Sequence, residues 1–311
     1  MEKVALPCPG RQETIDPQNT IDALSLIPAE LIAQNEDGIS VEIIDVNPRL
    51  LIKGRTCDEL VAWSARASTN KAEQTAQYKP VKGLIRYLMR KEHNSPFEMV
   101  GFQWRIAVPI FVARQLVRHR TAKLNEFSGR YSEMNEMWSP TLDRMAEQSS
   151  SNHQMSGQQL SEQAAQQILD SFALATQKCK ECYQEARQTH NLAREIARTI
   201  LPVSTMTYIV LRFDLRNAFH FIRLRTAPDA QKEIRVMAQM MAIHIRYLCP
   251  YAYQAFVDYQ QESVNLSRMA IKSISDVIIG NDNIKRGIIN KMKENGVSNT
   301  EVDELLAQLK L

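Results

Sequence analysis

The segment from Gly101 to Arg118 constrains the fold more than any other part of the sequence. From 102 to 108, large apolar residues (Phe, Trp, Ile, Val) occupy every second position, which is the period of a half-buried β-strand. Pro109 then favours the first turn of a helix that runs to about Arg118, because proline lacks only a backbone donor that is unpaired there anyway. The chain must therefore accommodate a buried strand that passes directly into a helix.

The remaining periodic segments contribute more helices than strands. Residues 41–46 (VEIIDV) predict a second strand, and residues 57–67 and 80–91 predict helices. Asp229 is a candidate cap for a long helix, and residues 125–130 (NEFSGR) predict a loop. The apolar face of a further helix consists of Leu169, Phe172, Thr176, Cys179 and Tyr183. The core stripe of the long helix consists of Ile234, Met237, Ala238, Met241, Ile245 and Leu248.

These patterns predict an α+β fold: a helix-rich domain around a small, mostly antiparallel sheet, with helical extensions at the termini. Residues 1–39 form a polar N-terminal extension with room for one helix, and residues 40–261 form the main domain. Within it, the Gln- and Ser-rich segment 147–167 predicts a solvated insertion. Residues 262–311 predict short amphipathic helices, the last introduced by Ser298 with Glu301 three residues on.

Composition excludes several classes of protein. The longest apolar run, residues 106–113, is too short to span a bilayer, and the mixed start of the chain is no signal peptide. Five cysteines, an odd number, do not make a disulfide framework, so we expect a cytoplasmic protein. Cys179 and Cys182 have CxxC spacing without a second pair, which favours helix packing, and we expect no metal site.

Positive charge is concentrated in two segments. The net charge is only +3, yet residues 101–135 hold six Arg and Lys against two Glu. Residues 194–235 hold eight Arg and Lys against four acidic residues. Two basic segments in an otherwise acidic chain suggest an anionic ligand.

The segment 115–132 (QLVRHRTAKLNEFSGRYS) is the densest in chemical groups. At helical spacing Gln115, Arg118 and His119 share a face. Guanidinium groups suit bidentate recognition of phosphate or of a heterocycle edge, and Ser128 with the amides around Gly129 can complete an anion cradle. A lone arginine at a helix end more often only complements the helix dipole, but this crowding favours a binding site.

The same segment carries a resemblance to a known family. RHR at 118–120, followed after seven residues by Ser128, resembles the hallmark motif of the flavin-dependent thymidylate synthases. The resemblance covers roughly residues 41–260, except for the Gln-rich insertion. The other matching blocks, in family order, are ARAS at 65–68, HNSPFE at 93–98, PIFVARQ at 109–115, NEFSGRYS at 125–132, RTILP at 198–202, LRFDLRNAFHFIRLR at 211–225, DAQKEI at 229–234 and CPYAYQAF at 249–256.

The resemblance implies two sets of binding residues. The implied FAD contacts are Ser95, Arg118, His119, Arg120, Glu126, Asp214, Leu215, Arg216 and His220. The implied dUMP contacts are Gln115, Leu116, Val117, Arg118, Glu126, Phe127, Ser128, Gly129, Arg130, Arg198 and Arg225. Arg225 matches the family's catalytic arginine, which lies against the pyrimidine, where a fixed cation favours ionisation at N3.

The resemblance also implies the reaction, which is reductive methylation of dUMP to dTMP. Methylenetetrahydrofolate would supply the carbon and FAD, reduced by NADPH, would supply the hydride. Family members use no enzyme thiolate, and the five cysteines here lie outside the site blocks. A homotetramer with sites at subunit interfaces is expected. Two positions depart from the family: Asp214, where Asn is common, and Lys123, which adds charge beside the nucleotide site.

Two other functions stay open at this point. A nucleic-acid-binding module would use the same arginines on phosphates, with exposed aromatic residues interleaved over a broad face. The basic residues here instead lie in two short segments mixed with Gln, Glu, Asp and Ser, so we expect neither a nucleic-acid polymer nor a membrane as partner. A related flavoprotein without synthase activity is the other alternative, and the intact RHR motif with Arg225 argues against it.

Overall fold

The computed structural model of the chain describes residues 18–68 and 81–310, which fall into two compact units divided between Gln261 and Glu262. The two units are described separately below. Pro80, at the predicted start of a helix, lies outside the described residues. The three-part domain organisation stays a prediction.

The centre of the first unit is a five-stranded antiparallel sheet. Its strand order is β2-β3-β5-β9-β6. These strands are β2 Ala33–Glu36, β3 Ile39–Asn47, β5 Gly101–Pro109, β6 Lys123–Glu126 and β9 Met206–Asp214. Two further antiparallel pairs are β1 Thr20–Asp22 with β4 Leu50–Ile52, and β7 Ala146–Gln148 with β8 Ser156–Gln159.

Helices dominate the described residues, which confirms the α+β prediction. In the first unit they are α1 Ala29–Ile32, α2 Asp58–Ala67, α3 Lys82–Arg90, α4 Ile110–Leu116, α5 Glu162–Gln188, α6 Arg194–Ala197, α7 Leu215–Arg225, α8 Lys232–Leu248 and α9 Pro250–Phe256. In the second unit they are α10 Arg268–Ile278, α11 Asp282–Glu294 and α12 Asn299–Gln308. Among the described residues no helix is long and apolar enough to cross a membrane.

The core lies on one face of the sheet, under α7 and α8. The predicted alternation in β5 is confirmed, because its four large apolar side chains are at most 1% exposed whereas Arg105 is exposed. The predicted stripe of α8 is also confirmed, since all six of its members are fully buried. Trp104 Nε1 donates to His244 Nδ1 at 3.1 Å, and His244 Nε2 donates to the Leu31 carbonyl at 2.7 Å. These two hydrogen bonds satisfy the indole N–H of Trp104 and both ring nitrogens of His244 inside the core.

The described part of the N-terminal extension, residues 18–39, packs against the main domain. Strands β2 and β3 form a hairpin across Asp37 and Gly38, whose positive φ angles of 53° and 76° are those of a tight two-residue turn. Ala23 and Ile27 are buried in the main core. The single helix expected before residue 40 is only the one turn α1 with a short 3-10 helix before it.

The segment 147–167, predicted as a solvated insertion, is mostly exposed and consists of a hairpin followed by the start of α5, which Ser161 caps by accepting from the Ala164 amide. Two local predictions were wrong. The predicted loop 125–130 begins inside β6, because Asn125 and Glu126 pair with β9. Asp229 caps no helix, since α8 begins at Lys232 after Gln231, which makes no side-chain cap.

The second unit contains α10, α11 and α12. The predicted start of its last helix is confirmed: Ser298 accepts from the Glu301 amide, and the Glu301 carboxylate accepts from the Ser298 amide. This reciprocal pairing satisfies two backbone donors that a helix N-terminus otherwise leaves unpaired.

A buried carboxyl group gives the first unit a pH-dependent stability. Asp58 is fully buried and accepts hydrogen bonds from the amides of Tyr251 and Ala252 at 2.9 Å and from the Thr56 hydroxyl at 3.1 Å. Burial raises the pKa of Asp58 to about 6, against the opposing effect of these donors. Between about pH 4 and 6 the folded state therefore binds more protons than the unfolded state, and its stability falls as the pH rises.

We expect this carboxyl group to contribute a loss of up to about 3 kcal/mol in the free energy of unfolding between pH 4 and 6. Comparing native protein with Asp58→Asn by denaturant unfolding across this range isolates that slope, with Asp229→Asn at an exposed position as control. Parallel pH profiles for the native and Asp58→Asn proteins would contradict the expectation.

Candidate active site

Two helices that leave the central strands bring the predicted site residues together. Strand β5 passes into α4 at Pro109, and β9 passes into α7 at Asp214. Because the two strands are antiparallel, with Gly101 opposite Asp214 and Pro109 opposite Met206, these helices start at opposite ends of the sheet. The C-terminal end of α7 meets the segment that follows α4, where Arg225 contacts His119.

Arg225 and His119 form the centre of the site. Arg225 Nε donates to His119 Nε2 at 2.9 Å, and its Nη2 lies 3.5 Å from the Gln115 carbonyl oxygen. The His119 ring packs edge-on against Phe221, with ring centroids 4.8 Å apart, and lies 6.5 Å from the His220 ring. Phe221 and Arg225 are one helical turn apart, so α7 holds the imidazole at two points.

The electrostatics of this centre favour a neutral imidazole. Partial burial, together with the positive charge of Arg225 and the neighbouring His220, lowers the pKa of His119 to about 4. Burial also lowers the pKa of His220, with contributions from Arg223 and Arg216. Arg225 keeps its charge because a guanidinium is protonated at all physiological pH values.

The N-terminal end of α7 forms a second group of predicted residues. Asp214 caps the helix, since its Oδ1 accepts from the Asn217 amide at 2.9 Å and its Oδ2 from Asn217 Nδ2 at 2.6 Å. Arg216 Nη1 lies 3.3 Å from Glu98 Oε1. Glu98 belongs to the 3-10 turn that starts at Ser95, whose side chain is exposed. Asp214, which departs from the family pattern, therefore caps the N-terminus of α7 instead of pairing with Arg216.

The turn after β6 forms a third group. Ser128 Oγ accepts from the Arg130 amide at 3.3 Å. Gly129 is buried so closely that an added Cβ would lie 2.6 Å from Met134 Sδ and 3.3 Å from Arg198 Cδ. Arg130 Nη2 lies 3.5 Å from Glu195 Oε2. The cradle predicted around Ser128 thus has Arg198 against its backbone, and both arginines are exposed to a ligand.

The other predicted residues differ in what they offer a ligand. Arg118, Arg120 and Val117 are exposed in the turn after α4. Glu126 Oε1 accepts from the Thr207 hydroxyl at 2.9 Å, and Phe127 packs edge-on against Tyr208. Two predictions need correction at the side-chain level. Leu116 and Leu215 are fully buried in the core, so only their backbone atoms are available to a ligand.

Sequence reasoning missed several residues that support the site. Gln115 Nε2 donates to Gln231 Oε1 at 2.6 Å, which links α4 to the residue before α8. Glu195 stands three residues before Arg198, and Phe221 four before Arg225, so helical spacing could have indicated both. The contacts of Gln231 and Thr207 join segments about a hundred residues apart, and no local signal predicts them.

The first two groups lie at the two ends of α7, whereas the contacts of the third group are with Met134, Glu195 and Arg198. At about 1.5 Å per residue, nine residues separate Arg216 from Arg225 by about 14 Å. Exposed guanidiniums and hydrogen-bond donors occur at both ends of the helix. This arrangement suits an extended anionic ligand along the helix, with a second anionic ligand at the Ser128 turn.

Comparison with known proteins identifies the family of the chain. The sequence profile of the family described as thymidylate synthase complementing protein matches residues 49–251. A flavin-dependent thymidylate synthase of Dictyostelium discoideum is 41% identical over 75% of this chain and 76% of its own length. One from Wolbachia pipientis wMel is 38% identical over 81% of this chain and 86% of its own. This chain belongs to the flavin-dependent thymidylate synthase family.

Solved structures extend the comparison to the fold. A UMP/dUMP methylase from Streptomyces cacaoi, bound with 5-Br dUMP, matches with a TM-score of 0.62 and 32% identity over 72% of this chain and 96% of its own. The same methylase bound with 5-Br UMP matches equally well. The family resemblance of the sequence motifs is confirmed, and the family name implies a flavin cofactor. Which ligand each side chain contacts stays a prediction.

The close packing at Gly129 yields a test of the third group. In Gly129→Ala the new methyl group would lie 2.6 Å from Met134 Sδ and 3.3 Å from Arg198 Cδ, so the Met134 side chain must move and Arg198 is crowded out of its present direction. We expect roughly tenfold weaker binding of dUMP to the flavin-loaded enzyme, measured by titration calorimetry. Gly83→Ala is the matched control, because nothing lies within 4 Å of its added Cβ. Native affinity in Gly129→Ala would show that Arg198 and this turn do not hold the nucleotide.

Proposed function

We propose that the enzyme catalyses the reductive methylation of dUMP to dTMP, with FAD reduced by NADPH and methylenetetrahydrofolate as the carbon donor. One observation carries this proposal. In a chain of this family, the predicted catalytic Arg225 is fixed between a predicted flavin residue, His119, and a predicted nucleotide residue, Gln115. A related methylase at 32% identity binds 5-Br dUMP, which supports the choice of nucleotide.

The nucleotide would be bound at both ends by arginine. Arg130 and Arg198, with the Ser128 hydroxyl, suit the dianionic phosphate because guanidiniums pair with its oxygens in a planar, bidentate way. Arg225 would lie against the pyrimidine. A cation held in a partly buried position stabilises negative charge that develops on the ring, which favours ionisation at N3 and activates C5.

The residues along α7 fit FAD by the chemistry of their donors. Arg118 and Arg120 would supply positive charge for FAD at one end of α7, and Arg216 and the Ser95 hydroxyl would supply a charge and a donor at the other end. The imidazole of His119 is neutral, so it offers an N–H donor to the flavin without adding a further positive charge among the neighbouring cationic groups. FAD supplies the hydride when bound, while the protein positions the reactants and stabilises charge.

The four cysteines among the described residues support a reaction without an enzyme thiolate. Cys57 and Cys249 are fully buried, and burial next to Cys57 and Asp58 raises the pKa of the Cys249 thiol. A buried thiol of raised pKa is a poor nucleophile. Cys179 and Cys182 lie on α5, away from α4 and α7 in sequence.

We also infer a cytoplasmic homotetramer, with sites completed by neighbouring subunits and no nucleic-acid polymer as partner. Apolar side chains beside the site support the assembly. Val117, Leu124 and Tyr131 are 41%, 38% and 79% exposed, and a contact with another subunit would remove this surface from water.

Removing the Arg225 guanidinium tests the proposed chemistry. We expect Arg225→Ala to lower kcat for dTMP formation about 100-fold or more, because one fixed donor in a transition-state site is worth that much, while flavin stays bound. Arg246→Ala, at an exposed position on α8, is the matched control. Loss of flavin without a specific catalytic defect would show that the division between flavin and nucleotide residues is wrong.

A steady-state assay with and without methylenetetrahydrofolate tests the reaction itself. We expect a yellow protein that forms dTMP only when dUMP, NADPH and the folate are all present. A colourless protein that binds nucleic acid with a steep salt dependence would overturn the proposal in favour of a nucleic-acid-binding module.

A further inference from the structure

The hydrogen bond between Arg225 and His119 has only one possible direction. A guanidinium carries donors and no acceptor, so His119 Nε2 must accept through its lone pair. A histidine with an unprotonated Nε2 is neutral and carries its proton on Nδ1. The contact of 2.9 Å therefore specifies the tautomer of the imidazole as well as its charge.

We propose that His119 is the positioning residue of Arg225: its Nε2 lone pair fixes the catalytic guanidinium, and its proton is held on Nδ1. This inference rests on the proposed function, since it assigns His119 a role in catalysis through Arg225. It differs from the role that the family resemblance implies, in which His119 only contacts the flavin.

The surroundings of Arg225 make His119 the stronger of its two contacts. The only other partner of the guanidinium among the described residues is the Gln115 carbonyl oxygen, at 3.5 Å, which is a weak hydrogen bond. Without His119, the Nε end of a half-buried guanidinium would lose its partner. An unsatisfied or misdirected arginine cannot offer its remaining N–H groups to a pyrimidine in a fixed direction.

The His119 ring is itself held in place. Phe221, one turn before Arg225 on α7, packs edge-on against the imidazole at 4.8 Å and is fully buried. A ring fixed by an immobile aromatic neighbour loses little further entropy when it accepts the hydrogen bond. The same helix thus provides the arginine and the wall that orients its acceptor.

The positive groups around His119 keep its lone pair available. Arg225 and His220 face the ring, and Arg118 and Arg120 flank it in the chain. Because a second positive charge is unfavourable among these groups and the ring is partly buried, the pKa of His119 is lowered to about 4. The imidazole therefore stays neutral, with an accepting Nε2, at the pH at which the enzyme works.

The first test reads the tautomer directly and needs no catalysis. Nitrogen-15 NMR of the flavin-loaded enzyme at neutral pH should show His119 with an unprotonated Nε2 and a protonated Nδ1, assigned by comparison with His119→Gln. In Arg225→Lys, whose side chain has no Nε–H at this position, the Nε2 signal should shift. A protonated Nε2 in the native enzyme would overturn the proposal.

The second test compares two amides that replace one ring nitrogen each. In His119→Gln the side-chain amide oxygen can reach the position of Nε2 and accept from Arg225, whereas the shorter amide of His119→Asn reaches only the position of Nδ1. We expect His119→Asn to lower kcat at saturating flavin about 10- to 100-fold, the loss expected for a hydrogen bond to a charged group. In His119→Gln the loss of kcat should be at least several-fold smaller. The KM for dUMP should be nearly equal in the two variants.

A double substitution separates positioning from a general structural role. If His119 acts through Arg225, adding His119→Asn to Arg225→Lys should lower kcat by much less than it does alone. Equal kcat losses in the Asn and Gln variants, or additive losses in the double variant, would overturn the inference. If the native enzyme forms no dTMP, the proposed function is wrong. The NMR measurement would still show which ring nitrogen of His119 carries the proton.

Discussion

The nine-residue antiparallel pairing of β5 with β9 determines where the helices that carry the candidate site begin. It joins two segments about a hundred residues apart and fixes Gly101 opposite Asp214 and Pro109 opposite Met206. Each strand ends where a helix begins, so the register decides where α4 and α7 start. A slip by one residue would turn the large apolar side chains of β5 towards solvent and separate the two helices from each other's ends.

Helix α7, whose start is set by this register, positions candidate site residues at both of its ends. Its capped N-terminus lies beside the turn that carries Ser95 and Glu98, and its C-terminal residue, Arg225, meets His119. The buried side of α7 packs in the core, which makes it a rigid support for the residues on its other side. A rigid helix suits chemistry in which the cofactors carry electrons and carbon, because the protein's contribution is then orientation and fixed charge.

Much of the fold and of the site followed from the sequence, because the signals there are local. Alternation in β5, the stripe of α8 and the Ser298–Glu301 box each depend on neighbours within a few turns. The fold brings Arg225 into contact with His119 and Gln115, two residues of the segment that the motif singled out. Local patterns could not show that Asn125 and Glu126 pair with β9, because strand pairing is a long-range choice.

The wrong prediction at Asp229 shows a second limit of local sequence patterns. An acidic residue before an apolar stripe is a sound capping signal, yet the helix starts three residues later and Asp229 stays exposed. Leu116 and Leu215 lie within the matching blocks, but their side chains serve the core. A motif therefore selects a segment of chain as a candidate for binding, while the packing around that segment decides which of its atoms are accessible.

Titration of the flavin-loaded enzyme with dUMP, followed through the visible absorption band of the oxidised flavin, shows whether nucleotide and flavin meet at one site beside α7. If they do, we expect a saturable spectral shift with the same dissociation constant that calorimetry gives for dUMP. A flavin spectrum that does not change at dUMP concentrations that saturate the calorimetric signal would contradict a shared site.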